Sequence, residues 1–98
     1  MQHLLTALPK SIGALVGLKE LDLRRNQLTA LPESIGALVG LKVLLLTSNQ
    51  LTALPESIVA LTALKELNLY RNPLTKPQSP AVEAWLAALQ DGGCRVVR

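Results

Sequence analysis

One stretch of the chain decides its fold, and it reads Leu18-Lys19-Glu20-Leu21-Asp22-Leu23-Arg24-Arg25-Asn26-Gln27-Leu28. Within it, Leu21 and Leu23 alternate with charged residues, which is the two-residue period of a half-buried β-strand. Asn26 follows three residues after the last strand leucine, and Leu28 closes the stretch. The pattern therefore predicts a short strand that ends in a polar turn.

The same pattern begins again at Leu41 and at Leu64, each time after 23 residues. The connecting segment 31–38 spaces its apolar residues four and three apart, which favours a turn or two of helix started by Pro32. A single strand and a single helical return cannot bury their own leucines, so successive turns must stack on one another. We therefore predict an α/β fold, a right-handed solenoid with a parallel sheet on one side.

Composition agrees with one small, apolar domain. The chain has 98 residues, of which 23 are leucine and 49% are hydrophobic, and this content excludes intrinsic disorder. No apolar run reaches the roughly 18–20 residues of a membrane helix, and the N-terminus does not resemble a signal peptide. The single cysteine, Cys94, excludes internal disulfides and indicates a reducing compartment. We predict one cytoplasmic domain over residues 1–98, with repeats over 1–75 and a C-terminal cap over 76–98.

The repeated Leu-x-x-Leu-x-Leu-x-x-Asn-x-Leu motif of residues 18–28, 41–51 and 64–74 resembles the leucine-rich repeat. The Leu-Pro-x-x-Ile-x-x-Leu return of residues 31–38 is similar to the 23-residue subtype found in bacterial and intracellular members. This resemblance implies a curved solenoid, with the parallel sheet on its concave face and helical or 3-10 returns on its convex face. It also implies a concave face that binds other proteins, without specifying any one activity.

Asparagine recurs at one position of successive turns, as Asn26, Asn49 and Asn72, and His3 occupies the same position one turn earlier. An amide carries both donors and acceptors, so we interpret this column as structural, satisfying backbone groups where each strand bends into its loop. The sequence contains no phosphate-binding glycine loop, metal-ligand cluster or plausible catalytic triad. We accordingly expect a non-enzymatic protein without a cofactor, a catalytic residue or a metal.

A basic column, Lys19, Lys42 and Lys65, also runs through the repeats. Nucleic-acid binding would require more basic residues on that face and exposed aromatic rings for stacking, and only Tyr70 is plausibly available. We therefore interpret the lysines as solvated and expect no nucleic-acid partner.

The C-terminal segment departs from the repeat and is predicted to form a cap. Ser79-Pro80 is typical of a helix start, and Gly92-Gly93 of its end. Val82, Trp85, Leu86 and Leu89 share one face of that helix, and residues 94–98 favour a short last strand. We expect Trp85 to be the largest buried anchor of the cap and Cys94 to be a buried structural thiol.

The N-terminal end is predicted to be open. Counting back one repeat from Leu21 leads to positions before Met1, so the strand around Leu21 should have an unpaired edge beside exposed Leu4, Leu5 and Leu8. Either the chain is a fragment of a longer array or two copies meet here. In an antiparallel pairing of two copies centred on Asp22, Glu20 would lie opposite Arg24, so we hypothesise a homodimer through this edge.

The candidate partner-binding site follows from the resemblance, because residues between the buried strand leucines point out of the concave face. In the middle turn, Val43 and Leu45 break the alternation and should be exposed apolar groups inside a charged rim, which is typical of a modest protein-binding surface. The alternative function is a structural one, in which the chain is a scaffold segment of a larger repeat protein, attached to an enzymatic or GTPase switch domain. The predicted site comprises Glu20, Asp22, Arg24, Val43, Leu45, Thr47, Glu66, Asn68, Tyr70 and Arg71, flanked by Arg25 and Ser48.

Overall fold

The structure is a computed structural model that describes residues 4–98, so His3 and its predicted place in the asparagine column lie outside the described residues. The strands are β1 (Glu20–Asp22), β2 (Val43–Leu45), β3 (Glu66–Asn68) and β4 (Arg95–Val97). The returns are 3-10 helices at Lys10–Ala14, Glu33–Ala37 and Glu56–Ala60, and one α-helix, α1, covers Pro80–Asp91. None of the helices in residues 4–98 is long and apolar enough to cross a membrane.

The four strands form one parallel sheet in the order β1-β2-β3-β4. Leu21, Leu44, Leu67 and Val96 share one register position across it, so the repeat spacing of the sequence becomes the register of the sheet. The predicted solenoid is confirmed, with the sheet on its concave face and 3-10 helices on its convex face. Each strand has only three residues, and in the three repeat strands the third leucine of the motif, Leu23, Leu46 or Leu69, follows immediately after the strand ends.

The return helices begin one residue later than predicted. Pro32 adopts an extended conformation with φ −70° and ψ 153°, so the helix starts at Glu33. The amide of Leu38 donates to the carbonyl oxygen of Ile35 at 3.1 Å, which is the i to i−3 bond of a 3-10 helix. This tighter helix advances farther per residue than an α-helix, so a five-residue segment covers the return between strands.

The core is a single stack of leucine and isoleucine side chains that runs from the first full turn to the cap. The side chain of Leu44 in the central strand has no exposed surface. Burying a leucine side chain stabilises the folded state by about 1.5–3 kcal/mol relative to leaving it in water, so the repeated leucines are the main source of stability. The residues with no exposed surface are Leu28, Ile35, Leu38, Leu41, Leu44, Leu46, Leu51, Ile58, Leu61, Leu67 and Val82.

The asparagine column is structural, as the sequence indicated. The Nδ2 of Asn72 donates to the carbonyl oxygens of Leu69 in its own turn and Leu46 in the preceding turn, at 3.0 and 2.9 Å. Its Oδ1 accepts the amide of Leu51 at 3.1 Å. One side chain thus satisfies three backbone groups at the point where the strand ends and locks each turn to the turn before it.

The predicted cap is present and ends the leucine stack. Ser79 caps α1 by accepting the amide of Val82 on its Oγ at 3.3 Å, and Gly93 leaves the helix with φ +94°. Trp85 is buried, and its Nε1 donates to the carbonyl oxygen of Leu61 at 3.1 Å. Cys94 is buried against the same core.

The cap also depends on Gln78, which the sequence reading did not identify. Its Oε1 accepts the amide of Leu54 at 3.0 Å, and its Nε2 donates to the carbonyl oxygen of Thr75 at 2.7 Å. Gln78 therefore performs, at the last turn, the role that asparagine performs in the repeats. It lies six residues after Asn72, outside the repeat spacing, so periodicity could not reveal it.

The N-terminal layer is open in the described structure. Strand β1 pairs with β2 alone, and Leu4 and Leu5 are exposed, as predicted. Leu8 was predicted to be exposed and is only partly so, because it packs against the core cluster. Leu15 is 52% exposed, whereas Leu38, at the same position one turn later, has no exposed surface.

Candidate functional site

The concave face carries two rows of outward side chains set by the register of the sheet. The row at the start of the strands contains Glu20, Val43, Glu66 and Arg95. The row at their end contains Asp22, Leu45, Asn68 and Val97. Because the strands are parallel, chemically different residues of successive turns become immediate neighbours about 4.8 Å apart.

Val43 and Leu45 were predicted to be exposed apolar groups, and the structure shows each of them only partly exposed. Each lies between longer or polar side chains of the neighbouring strands, Val43 between Glu20 and Glu66, for example. Cross-strand neighbours at this distance cover one another's flanks. The apolar centre of the face is therefore narrow, and a partner could reach it mainly from the concave side and not from the flanking strands.

Asp22 and Arg24 form an ion pair within the same chain. The Nη2 of Arg24 lies 2.7 Å from Oδ2 of Asp22, and its Nε donates to Oδ1 at 2.9 Å. These side-chain hydrogen bonds lower the pKa of Asp22 and raise that of Arg24. The guanidinium of Arg24 is thus already engaged by its own chain, so the predicted Glu20–Arg24 pair between two copies would compete with this contact.

A cleft of about 390 Å³ extends from the strand residues Leu45, Glu66 and Asn68 to the turns that follow the strands. It brings together seven of the ten predicted site residues, and Glu20, Asp22 and Val43 do not line it. Leu45 contributes the apolar part of the lining, and the exposed ring of Tyr70 contributes an aromatic wall. The lining residues are Arg24, Arg25, Leu45, Thr47, Ser48, Glu66, Asn68, Tyr70 and Arg71.

Three residues along the rim of this cleft have left-handed backbone conformations. Arg25, Ser48 and Arg71 have φ values of 59°, 60° and 63°, at the same position of successive turns. For a residue with a side chain this conformation costs roughly 1–2 kcal/mol, whereas glycine adopts it freely. Two sets of hydrogen bonds hold the turn in place. The amide of Arg25 donates to the carbonyl oxygen of Thr47 at 2.9 Å, and the side chain of the asparagine that follows bonds to nearby backbone groups.

Cationic groups on the rim differ in their partners. Arg24 is paired with Asp22, whereas neither Arg25 nor Arg71 forms a salt bridge within the described residues 4–98. Both side chains are exposed at the C-terminal end of the strands. Glu20 and Glu66 lie in the row at the start of the strands and Asp22 lies in the row at their end, and Glu66 also lines the cleft together with the arginines.

Over residues 4–98 there is no cluster of three or more His, Cys, Asp or Glu side chains that could hold a metal ion. Burial raises the pKa of the Cys94 thiol, which keeps it protonated and a poor nucleophile at neutral pH. Lys19, Lys42 and Lys65 are exposed, as the interpretation of a solvated column requires.

The sequence reading placed three strands on the concave face, but the sheet has four. Strand β4 pairs in parallel with β3, which adds Arg95 beside Glu66 and Val97 beside Asn68. The signal was present, because residues 94–98 were predicted to form a strand. Its parallel pairing could not be deduced, since β4 follows a helix of a different length and does not obey the repeat.

Comparisons with known proteins support the same architecture. A family model described as "Leucine-rich repeat region" matches residues 1–91. A solved structure of a leucine-rich repeat protein from Leptospira interrogans is 37% identical in sequence, with a TM-score of 0.84 over 97% of this chain. The chain spans only 23% of the length of that protein. No curated protein matches the sequence significantly.

Proposed function

The chain belongs to the leucine-rich repeat family, and on that premise we propose that it is a non-enzymatic module that binds a protein partner through its concave face. We assign it to the 23-residue Leu-Pro-x-x-Ile subtype, on the constant spacing of its repeats. The observation that carries the proposal is the cleft on the concave face, where apolar Leu45 and aromatic Tyr70 lie among charged side chains. Protein interfaces commonly combine an apolar or aromatic centre with a polar rim. The single cysteine supports a cytoplasmic location.

The size of this face suits a modest interaction. Each strand contributes only two outward residues within the sheet, and the apolar centre is partly covered by its neighbours. A stable interface normally buries about 800 Å² on each partner. We therefore expect this chain alone to bind with weak or intermediate affinity.

A pull-down from source cells tests the proposal. The full chain is immobilised beside the double variant Val43→Asp/Leu45→Asp, and proteins retained by each are compared by quantitative mass spectrometry. The matched control is Val16→Asp/Val39→Asp, because both valines are exposed and follow the return helices instead of lying on the sheet. Partners lost with the first variant and kept with the second support the concave face. Equal retention by all three proteins overturns it.

We also propose that two copies associate through the N-terminal edge around Asp22. The support is the exposed apolar layer there, in which Leu5 and Leu15 are open although their equivalents in the next turn, Leu28 and Leu38, are fully buried. Exposed apolar surface beside an unpaired strand edge favours association. The Asp22–Arg24 contact shifts the expected driving force from ion pairs to these leucines.

Light scattering at micromolar concentration tests the homodimer. We expect about twice the chain mass for the unmodified protein and the single-chain mass for Leu15→Asp. Val39→Asp is the matched control, since Val39 is equally exposed but lies one turn away from the edge. A strictly monomeric protein, or a dimer that survives Leu15→Asp, contradicts the proposal.

The alternative function is structural, with this chain as a scaffold segment of a larger repeat protein attached to an enzymatic or switch domain. It is motivated by the solved relative, of whose length the chain spans 23%. In that case another repeat would cover the leucines of the N-terminal layer. A monomer in solution whose concave variant retains every partner would favour this alternative.

A further inference from the structure

The rim of the cleft retains two arginines at positions where the backbone favours glycine. Arg25 and Arg71 both have φ near +60°, which a side chain disfavours on steric grounds. Ser48 has the same conformation in the turn between them. The fold therefore tolerates different side chains here, and nothing in the backbone geometry requires arginine.

The two guanidinium groups are also without acidic partners in the described structure. The salt bridges in residues 4–98 join Asp22 with Arg24 and Glu83 with Arg98, so they involve neither Arg25 nor Arg71. The backbones of Arg25 and Arg71 are two strand spacings apart, about 10 Å. Arginine binds carboxylates in a planar, two-point geometry and is enriched at protein interfaces.

Resting on the concave-face function proposed above, we propose that the partner presents an acidic segment to this rim, with carboxylates that reach Arg25 and Arg71. An apolar side chain of the same segment would contact Leu45 and the ring of Tyr70, which line the cleft between them. The segment crosses the ends of the strands and does not run along them, because the two arginines lie in different turns.

The distribution of charge on the face favours a short acidic protein segment over a nucleic acid. Three arginines and one glutamate, Glu66, line the cleft, so it attracts a few carboxylates, whereas a longer phosphate backbone would also pass Glu20 and Asp22 outside the cleft. Tyr70 is the only exposed aromatic side chain in the described structure, because Trp85 is buried. Single-stranded nucleic acids usually require several exposed rings for base stacking.

Binding is measured by titrating the ¹⁵N-labelled full chain with a blocked peptide of about ten glutamates interrupted by one central leucine, long enough to span both arginines. We expect the backbone amide shifts to concentrate at Arg25, Ser48, Tyr70 and Arg71. Binding should weaken when NaCl is raised from about 0.05 M to about 0.5 M, because salt screens exposed charges. The comparison probes are a lysine peptide of the same design and an oligouridine of equal length.

The decisive variant is Arg25→Gly/Arg71→Gly, which removes both cations while relaxing the backbone. We expect it to melt at the same temperature as the unmodified chain, or higher, and to bind the acidic peptide roughly five- to tenfold more weakly. Lys42→Ala/Lys65→Ala removes the same net charge outside the cleft and should change the affinity less than about twofold. If the glycine variant is unstable, Arg25→Asn/Arg71→Asn replaces it, since asparagine also tolerates this conformation.

Three results would overturn the proposal: equal loss of affinity in the arginine and lysine variants, tighter binding of oligouridine at the same residues, or no shift with the acidic peptide. The pull-down distinguishes this failure from failure of the concave-face function. If the acidic peptide does not bind but Val43→Asp/Leu45→Asp still loses partners that its control retains, the face binds a partner of other chemistry.

Discussion

Asn49 donates a hydrogen bond from its side-chain Nδ2 to the carbonyl oxygen of Leu23, 26 residues earlier, at 2.9 Å. The same nitrogen donates to Leu46 in its own turn, and the Oδ1 accepts the amide of Leu28 at 3.1 Å. Only 6% of Asn49 is exposed, so water cannot replace these contacts. The buried side chain of Asn49 therefore links two successive turns by hydrogen bonds.

We expect Asn49→Ala to lower the free energy of unfolding by about 3 kcal/mol, because it leaves buried backbone groups without partners. Urea unfolding followed by circular dichroism measures the loss. The control is Asn26→Ala, whose amide is only partly buried. Within residues 4–98 its Nδ2 donates to carbonyls of its own turn, Leu23 and Arg24, while its Oδ1 accepts the amide of Leu5 at 2.9 Å. That variant should lose about 1 kcal/mol. Equal losses would mean that the bond from the side-chain nitrogen to the carbonyl oxygen of the preceding turn contributes little.

Close packing of the return helices predicts a severe effect of a single methyl group. A Cβ on Gly36 would lie 2.6 Å from the carbonyl oxygen of Ser57, a contact that backbone movement must relieve. We expect Gly36→Ala to destabilise the protein by roughly 1–3 kcal/mol. Gly17→Ala is the control, since a Cβ there meets nothing within 4 Å. Thermal unfolding should separate the two, and similar melting temperatures would contradict the tight contact.

Leu38 and Leu15 occupy the same repeat position, but Leu38 is buried and Leu15 is exposed. The two residues therefore form a matched pair for measuring how much burial of a leucine contributes to stability. Leu38→Ala should cost about 2–5 kcal/mol, because it opens a cavity in the leucine stack. Leu15→Ala should cost less than about 1 kcal/mol in dilute solution, since half of that side chain is already in water. Urea unfolding at sub-micromolar concentration measures both. A large loss for Leu15→Ala would indicate that its surface is covered in solution.

Acid should weaken the cap. Side-chain hydrogen bonds from Arg98 and the amide of Gln78 lower the pKa of Glu83 to about 2. Because the folded pKa is below the ordinary value of 4.5, the stabilisation by Glu83 is complete above pH 4.5 and is lost as the pH falls towards 2. Thermal melts followed by Trp85 fluorescence should show this loss. The Arg98–Glu83 pair is partly exposed, so the difference between Glu83→Gln and the unmodified chain should be small at pH 6 and vanish near pH 2, and a constant difference would contradict the linkage.

Periodicity predicted the architecture because one rule, a spacing of 23 residues, fixes which leucines stack and which strand residues become neighbours. The cap helix followed from Ser79-Pro80 and Gly92-Gly93, which act locally and independently of the repeat. The resemblance allowed helical or 3-10 returns, and the apolar spacing did not decide between them, because a five-residue return contains too few apolar positions to distinguish α from 3-10 spacing. The start at Glu33 instead of Pro32 was not predicted.

Less of the candidate site could be predicted from the sequence, because the site depends on contacts between side chains of different turns. The partial burial of Leu45 results from Asp22 and Asn68 on either side of it. The left-handed conformation of Arg25 has no sequence signal, since glycine or asparagine would normally mark such a turn. Placement of residues on the concave face followed from the repeat. The cleft, the lack of acidic partners for Arg25 and Arg71 within residues 4–98, and the position of Arg95 beside Glu66 became evident only from the structure.

Bonds between turns, such as those from Lys42 to Lys19 and from Lys65 to Lys42, reach only to the adjacent turn. The contacts between two neighbouring turns are therefore of the same kind wherever the pair lies in the stack. In-frame duplication of residues 28–50 would lengthen the protein without creating a new kind of contact. It would also place Arg71 one turn farther from Arg25, so the number of turns sets the distance between the two charges.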